Sequence, residues 1–216
     1  MTTHPPDSTP AAAKRRRNAR GTHDRLVRAA LELFTTRGYD RSTTPQIAER
    51  AGVAEGTIYR HFQSKSHLLN EIYRAAIRLL ADPLSRRSSS ASCEDTLAEI
   101  ASSWQTLAAR DPGLIRLVFS TPLGDTLDIR SRDAYGRLKE ELAKVIASGK
   151  AVGAIRVGPV EVWTEVWLSL IVLALEKIAS REWTRGQAAP ELVVTAAWDA
   201  IKAVPETPQG ARHEPA

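Results

Sequence analysis

Hydrophobic residues recur along most of the chain at intervals of three and four positions, which is the spacing of one face of an α-helix. Near the N-terminus this pattern is carried by Leu26, Ala29, Ala30, Leu33 and Phe34, and it stops at Gly38. The same period continues from Glu94 to the C-terminal region, without the alternating runs that strands require. The pattern therefore predicts an all-α protein.

The segment 43–62, TTPQIAERAGVAEGTIYRHF, has the features of two short helices joined by a tight turn. Thr43 or Thr44 can cap the first helix through its hydroxyl, with Pro45 at the first helical position. Gly52 can end that helix in the left-handed conformation. The pattern predicts a helix-turn-helix, and the alternative is an ordinary helical hairpin. The side chains predicted to face outward from the second helix are Glu55, Gly56, Thr57, Tyr59, Arg60 and His61.

These residues resemble the DNA-binding domain of the TetR/AcrR family of transcriptional regulators. The resemblance runs from Leu26 through the helix-turn-helix to Leu69 in the segment SKSHLL. It implies an N-terminal three-helix helix-turn-helix domain followed by a C-terminal helical domain for ligand binding and dimerisation. The boundaries that we predict are a disordered basic arm over 1–20, the DNA-binding domain over 21–66, the helical body over 67–205 and a disordered tail over 206–216.

The resemblance also implies roles for individual side chains at the DNA. Thr44, Tyr59 and Lys65 are expected to hold phosphates, whereas Thr57, Gly56, Arg60 and Glu55 are the candidates for contact with base edges. Gly56 would let the helix approach the bases closely, and the Thr57 methyl group can meet a thymine methyl group. His61 can donate a hydrogen bond to a phosphate.

Charge is distributed unevenly along the chain. Residues 1–80 hold fourteen Lys and Arg against seven Asp and Glu, while residues 81–216 hold sixteen against eighteen. A basic N-terminal part on a near-neutral body favours a partner with phosphates. The densest basic run, Lys14–Arg17 with Arg20, lies in a leader rich in Pro, Ala, Ser and Thr. We interpret it as a disordered arm along the DNA backbone or minor groove, and the alternative is a solvated tail.

The last two predicted helices, 159–179 and 189–204, indicate dimerisation. The first is apolar on two sides, through Val162 and Val166 on one and Trp163 and Trp167 on the other. One core-facing stripe does not need so wide an apolar surface. The resemblance implies a homodimer with a four-helix interface and a palindromic operator with half-sites about 34 Å apart. The alternative is that both sides are buried within one subunit.

The resemblance further implies a small-molecule effector in the body. The side chains expected around its pocket are Trp104, Phe119, Tyr135, Trp163 and Trp167, although most of them can equally be core. An acidic group there would favour cationic compounds, and an arginine would favour carboxylates or acyl thioesters. We therefore expect a repressor that leaves its operator when an inducer binds. The alternatives are an activator, or a ligand-independent or non-specific DNA-binding protein.

Several other classes of protein are disfavoured by the sequence. It has no nucleophile elbow, glycine-rich phosphate loop, HExxH helix or paired cysteine motif, so we expect neither an enzyme nor a cofactor. The histidine spacing predicts no metal site. The chain lacks a run of about 18 apolar residues and an N-terminal secretory signal, which disfavours a membrane protein. The single Cys93 excludes an internal disulfide, and a cytoplasmic location is expected.

Overall fold

The computed structural model of the protein describes residues 10–88 and 91–204, with side chains described from Asn18 onward. Nine α-helices occupy this described part, which contains no strand beyond an isolated bridge between Ile155 and Lys202. A π-helical turn (Arg116–Ser120) and a 3-10 turn (Gly124–Thr126) connect two of the helices. The prediction of an all-α protein is confirmed. The helices are α1 (Pro10–Thr36), α2 (Thr44–Ala51), α3 (Glu55–His61), α4 (Lys65–Arg86), α5 (Cys93–Arg110), α6 (Pro112–Ile115), α7 (Ile129–Ala151), α8 (Val160–Ala179) and α9 (Ala188–Ile201).

The helix-turn-helix forms at α2 and α3 through the predicted local signals. Thr43 is the residue that caps α2, because its hydroxyl accepts a hydrogen bond from the Gln46 backbone N–H. The Gln46 side chain in turn accepts one from the Thr43 N–H at 3.1 Å, which completes a capping box. Gly52 ends α2 with φ 64° and ψ 44°, the left-handed region in which a side chain is disfavoured. Ile58 and Phe62 are each 2% exposed and fix α3 against α1 and α2.

Helix α1 corrects the prediction of a disordered arm over 1–20. Residues 10–20 form the first turns of this helix, and residues 1–9 lie outside the described part. The physical reason is local: Pro10 suits the first helical position, and the Ala, Lys and Arg residues that follow are among the best helix formers. The basic run is therefore part of a helix continuous with the core-facing stripe of α1.

Asp82-Pro83, followed by the polar run 86–92, predicts a break after Leu80, but helix α4 continues through Pro83 to Arg86. A proline at this position removes the hydrogen bond to the Leu79 carbonyl and crowds that carbonyl, which costs about 3 kcal/mol in a helix interior. Burial of Pro83 and of Leu84, which is 2% exposed, favours the continuation. The helix begins at a Ser64 cap that accepts a hydrogen bond from the His67 N–H at 3.0 Å. It packs against α1 and also against α5 and α7, so it joins the head (α1–α3) to the body (α5–α9).

The apolar spacing of Leu127, Leu138, Leu142 and Ile146 predicts a helix over about 125–147 that is terminated by Gly149 and Gly153. The observed helix, α7, starts and ends later. It begins at an Asp128 cap, and Gly149 lies inside the helix instead of terminating it. The reason is close packing: a Cβ added at Gly149 would lie 2.6 Å from the Cys93 Sγ atom and 3.0 Å from the Ile155 Cγ1 atom. Gly149 therefore lets α7 approach α5 at a distance that no larger residue permits.

Gly149→Ala is expected to destabilise the body. Overpacking of this kind costs about 1–3 kcal/mol of the free energy of unfolding, and each kcal/mol lowers Tm by roughly 2–4 °C in a chain of this size. Gly136 is the matched control, because it lies in the same helix and a Cβ there would have no neighbour within 4 Å. Gly136→Ala should raise Tm slightly. Thermal unfolding followed by circular dichroism measures both, and equal Tm values for the two variants would contradict the packing argument.

Candidate nucleic-acid interface

The outward face of α3 carries the residues that the sequence predicts to contact DNA. Ile58 and Phe62 anchor the opposite face, so the intervening side chains point away from the core. Tyr59 is 55% exposed. Glu55, Gly56 and Arg60 are exposed, whereas Thr57 and His61 are half-buried. A short helix with a firmly packed inner face and a polar outer face has the geometry of a groove-reading element.

Tyr59 is held in place from α2. Its phenolic oxygen lies 3.0 Å from the Thr44 hydroxyl, and either atom can be the donor. The hydrogen bond brings together two of the three residues expected to hold phosphates. It also orders the exposed Tyr59 side chain before DNA arrives, so less rotamer entropy is lost on binding.

Lys65 is more constrained than the sequence suggested. Its ammonium group donates to the Tyr39 carbonyl at 3.0 Å and to the Ser42 carbonyl at 2.9 Å, and it lies 4.0 Å from the centroid of the Tyr39 ring. An ammonium group has three N–H donors, so one remains for another partner. Lys65 therefore holds the start of α4 against the turn before α2. Its contact with a phosphate stays a prediction, and the remaining N–H is the donor that could make this contact.

The N-terminal part of α1 lies beside the recognition surface. Asn18, Ala19 and Thr22 of α1 face Thr57 and its neighbours on α3 across an open cleft of about 600 Å³. The other lining residues are Arg60 and His61. Sequence reasoning treated this stretch as unstructured and missed its contribution to the cleft, although its Ala, Lys and Arg content was the signal for a helix.

His61 lies in a cluster of aromatic rings at this cleft. Its ring centroid is 6.2 Å from that of His23, and His23 is 5.1 Å from Phe62. Burial lowers the pKa of His61 below its usual 6.5, and the charges of His23 and Arg60 lower it further. His61 is therefore neutral near pH 7 in the free protein.

Operator binding is expected to strengthen on acidification if His61 contacts a phosphate. The phosphate favours the imidazolium form, so the pKa of His61 rises on binding and the complex takes up a proton. The association constant then increases by up to about tenfold for each unit that the pH falls, in the range between the pKa of His61 in the complex and its lower pKa in the free protein. Fluorescence anisotropy from pH 7.5 to 5.5 measures the association constant. The His61→Gln variant should show a smaller slope of log K against pH. His67→Gln is the control, and an unchanged slope in His61→Gln would contradict the phosphate contact.

A cluster of polar side chains joins α4 to the start of α7. Asn70 is 2% exposed, and its carbonyl oxygen accepts a hydrogen bond from the Asp128 N–H at 2.9 Å while its amide donates to the Thr126 carbonyl. Arg74 donates to the Asp128 carboxylate at 2.9 Å and to the Ser131 hydroxyl at 3.0 Å. Burial opposes ionisation of Asp128, but hydrogen bonds from Ser131 and Arg74 outweigh it and lower its pKa. We call this cluster the α4–α7 joint; no sequence pattern indicated it.

The five side chains expected around an effector all belong to the hydrophobic core of the body or pack against it. Trp104 and Trp167 are buried and pack together with ring centroids 6.0 Å apart. Trp163 is half-buried beside Arg156, whose guanidinium lies 5.5 Å from its ring centroid. Phe119 lies on the π-helical turn and Tyr135 on α7, and both are half-buried. Their roles in ligand binding stay predictions.

Membrane spans and metal clusters are both absent from the described residues. Among the helices over 10–88 and 91–204, none is long and apolar enough to cross a membrane. The same stretches contain no group of three or more His, Cys, Asp or Glu side chains placed to hold a metal ion.

Comparison with known proteins places this geometry among bacterial regulators. Residues 26–72 match the family model described as "Bacterial regulatory proteins, tetR family". The HTH-type transcriptional regulator TcmR of Streptomyces glaucescens is 30% identical over 181 residues, which cover 78% of this chain and 76% of TcmR. Two crystal structures share the fold with a TM-score of 0.72: a TetR family regulator from Marinobacter aquaeolei VT8 (17% identity, 88% and 100% of the two chains) and MbdR from Azoarcus sp. CIB (21%, 82% and 97%).

Proposed function

This chain belongs to the TetR family of bacterial regulatory proteins, and we propose that it is a repressor that a small molecule releases from a palindromic operator. It is a DNA-binding transcription regulator and not an enzyme. The observation that carries the proposal is the outward face of α3, with Tyr59 ordered by the Thr44 hydroxyl at 3.0 Å. This arrangement supports Tyr59 and Thr44 as phosphate contacts, with Thr57, Gly56, Arg60 and Glu55 left for base edges.

The outer surface of α8 and α9 supports a homodimer. Val162 and Leu173 on α8 are 47% and 42% exposed, and Leu192 on α9 is 67% exposed. Val166 and Leu170 line an open, largely apolar groove of about 640 Å³ on the same side of α8. An apolar surface of this kind favours burial against another copy. A two-fold dimer would place two α3 helices in successive major grooves about 34 Å apart, which favours a palindromic operator.

The N-terminal part of α1 supports a second contact with the DNA backbone. Residues 10–20 extend the helix by about 16 Å at 1.5 Å per residue, and they contain the basic run Lys14–Arg17 with Arg20. Asn18 and Thr22 line the cleft beside α3. A helix is better ordered than a flexible arm, so its charges would be held near the phosphates at a lower cost in entropy.

Truncation to begin at Ala19 tests that contact. It is expected to weaken binding to every duplex by a similar factor, because phosphate contacts carry no sequence information. The plot of log K against log salt should become shallower by about 0.9 for each phosphate that the truncated protein no longer neutralises. Full affinity with an unchanged slope would show that the basic run is a solvated surface.

Release by a ligand requires two states of the dimer that differ in the spacing of their heads. Helix α4 packs against head and body, and the α4–α7 joint fastens it to the body through Asn70, Arg74 and Asp128. A ligand that changes the packing of the body would therefore move α4 and, with it, α3. To reverse a mostly bound population, the ligand must prefer the non-binding state by several kcal/mol, about 5.5 kcal/mol for a shift from 99% to 1%.

Transcription in vitro tests the repressor function. The template carries, between the polymerase recognition elements of a promoter, the duplex that the protein selects from a random pool. Added protein should reduce the transcript, and the same promoter with a scrambled duplex is the control. An increase in transcript would make the protein an activator, and equal reduction on both templates would make it a non-specific DNA-binding protein.

A further inference from the structure

A cavity of about 310 Å³ lies between α1 and α4, where the head meets the body. Its apolar lining consists of Val27 from α1 and of Ile72 and Ala75 from α4. The volume corresponds to roughly ten water molecules and lies at the lower limit for small-molecule sites, about 300–1,000 Å³. We call it the α1–α4 cavity. It is separate from the aromatic side chains expected around an effector in the body.

The polar lining of the α1–α4 cavity carries more positive than negative charge. Arg74 and Arg78 lie one turn apart on the same side of α4, and Glu71 contributes a carboxylate beside them. The Glu71 carboxylate already has a neighbour, since it lies 3.3 Å from the Nε2 atom of His67. His23 of α1 completes the polar lining. Among the described residues that line the cavity, two guanidinium groups thus accompany one carboxylate, which favours an anionic ligand.

Both guanidinium groups have N–H donors left for a ligand. Arg78 is exposed, and no hydrogen bond or ion pair joins it to another residue in the described part of the chain. Arg74 uses its Nη1 atom for Asp128 and Ser131. Its Nε and Nη2 atoms carry three further donors. Two guanidinium groups with free donors can bind both oxygens of one carboxylate, while the apolar lining accommodates the rest of the molecule.

The α1–α4 cavity also contacts residues that support the recognition helix and residues that hold the body. The His23 ring packs on Phe62 with ring centroids 5.1 Å apart, and the buried Phe62 fixes the end of α3. On the other side of the cavity, Arg74 belongs to the α4–α7 joint through Asp128. A ligand in the cavity would therefore touch both the support of α3 and the joint. Its binding is then coupled to the binding of DNA, because the two share these contacts.

We propose that the α1–α4 cavity binds a small molecule of about ten non-hydrogen atoms with one carboxylate on an apolar body, and that this ligand weakens operator binding. The carboxylate accepts hydrogen bonds from Arg78 and Arg74, and the apolar body lies against Val27, Ile72 and Ala75. The negative charge that the ligand brings to the head opposes the approach of DNA phosphates. This site is additional to the effector pocket expected in the body, and its effect on the operator rests on the function proposed above.

The binding test compares cyclohexylacetate with cyclohexylacetamide, which share size and shape and differ in charge. Isothermal titration calorimetry with the full-length protein should show that the carboxylate binds about tenfold more tightly, the effect of hydrogen bonds to charged groups. Arg78→Gln should remove most of this preference. Arg137→Gln is the matched control, because Arg137 is an exposed arginine of α7 outside the cavity. No binding by the wild type, equal binding of both compounds, or the same loss in both variants would overturn the proposal, as would a preference retained in Arg78→Gln.

The effect on DNA is measured by fluorescence anisotropy with a labelled operator duplex. Saturating cyclohexylacetate should lower the operator affinity of the wild type by about fivefold or more, the range of typical coupling between two sites. Sodium chloride at the same ionic strength is the control, and Arg78→Gln should respond to both salts alike. An unchanged operator affinity with the ligand bound would overturn the proposed coupling. A wild type that binds no operator contradicts the proposed repressor function, whereas the calorimetry tests the α1–α4 cavity alone.

Discussion

Tyr59→Ala is expected to weaken operator binding by about 30- to 100-fold, which corresponds to the loss of roughly 2–3 kcal/mol from a hydrogen bond to a charged group and the packing around it. Tyr59 is 55% exposed, so the substitution leaves the core of the head unchanged. The Thr44 hydroxyl, 3.0 Å away, loses the partner that orders it. Both of the phosphate contacts proposed on this side of the helix-turn-helix are therefore affected. Fluorescence anisotropy with a labelled operator duplex measures the loss.

Tyr59→Phe divides this effect into its parts. It keeps the ring and removes the hydroxyl, so a smaller loss of about tenfold is expected. Thr44→Val removes the other half of the hydrogen bond and should reduce affinity by a similar factor. Since Tyr59 and Thr44 act together, the double substitution should cost less than the product of the two single losses. A Tyr59→Ala variant that binds the operator as the wild type does would remove Tyr59 from the proposed interface.

Leu173→Glu is expected to convert the protein from a dimer to a monomer. Leu173 is 42% exposed in the single chain and lies on the apolar side of α8, so a charge there is tolerated by the subunit and penalised in a dimer interface. Val157→Glu is the matched control, because Val157 is 92% exposed and lies before α8. Analytical ultracentrifugation should give monomers for Leu173→Glu and dimers for the control.

The same substitution should also reduce operator affinity. Two linked heads raise the effective concentration of the second head at its half-site, and that advantage is on the order of 10²- to 10⁴-fold. Leu173→Glu should therefore lose about 100-fold or more on the palindrome and little on a single half-site. A dimeric Leu173→Glu variant would place the interface elsewhere, and a monomer with full affinity would contradict a palindromic operator.

Local signals predicted most of the head correctly. The Thr43 cap and the left-handed Gly52 are properties of a few consecutive residues, so sequence reasoning can identify them without the tertiary structure. The inward positions Ile58 and Phe62 follow from helical periodicity in the same way. For these reasons the position and length of the helix-turn-helix agree with the prediction.

Features that depend on the tertiary structure could not be predicted so well. The continuation of α4 past Pro83 depends on burial that the sequence does not show, and the inclusion of Gly149 in α7 depends on its distance from Cys93. The α4–α7 joint is a relation between residues far apart in sequence, since Asn70 and Arg74 contact Asp128 and Ser131. The arm was mispredicted for a different reason: its Pro, Ser and Thr content was given more weight than the helix-forming run after Pro10.

The measurement that tests the central claim most directly is the selection of bound duplexes from a random pool at about 150 mM salt, where binding through phosphates alone is weak. The wild type, Tyr59→Ala and Leu173→Glu are compared in parallel. A dimeric, sequence-specific regulator should enrich one palindrome, Tyr59→Ala should lose the enrichment, and Leu173→Glu should retain at most one half-site. No enrichment by the wild type, with all three proteins binding weakly and alike, would contradict sequence-specific recognition by α3.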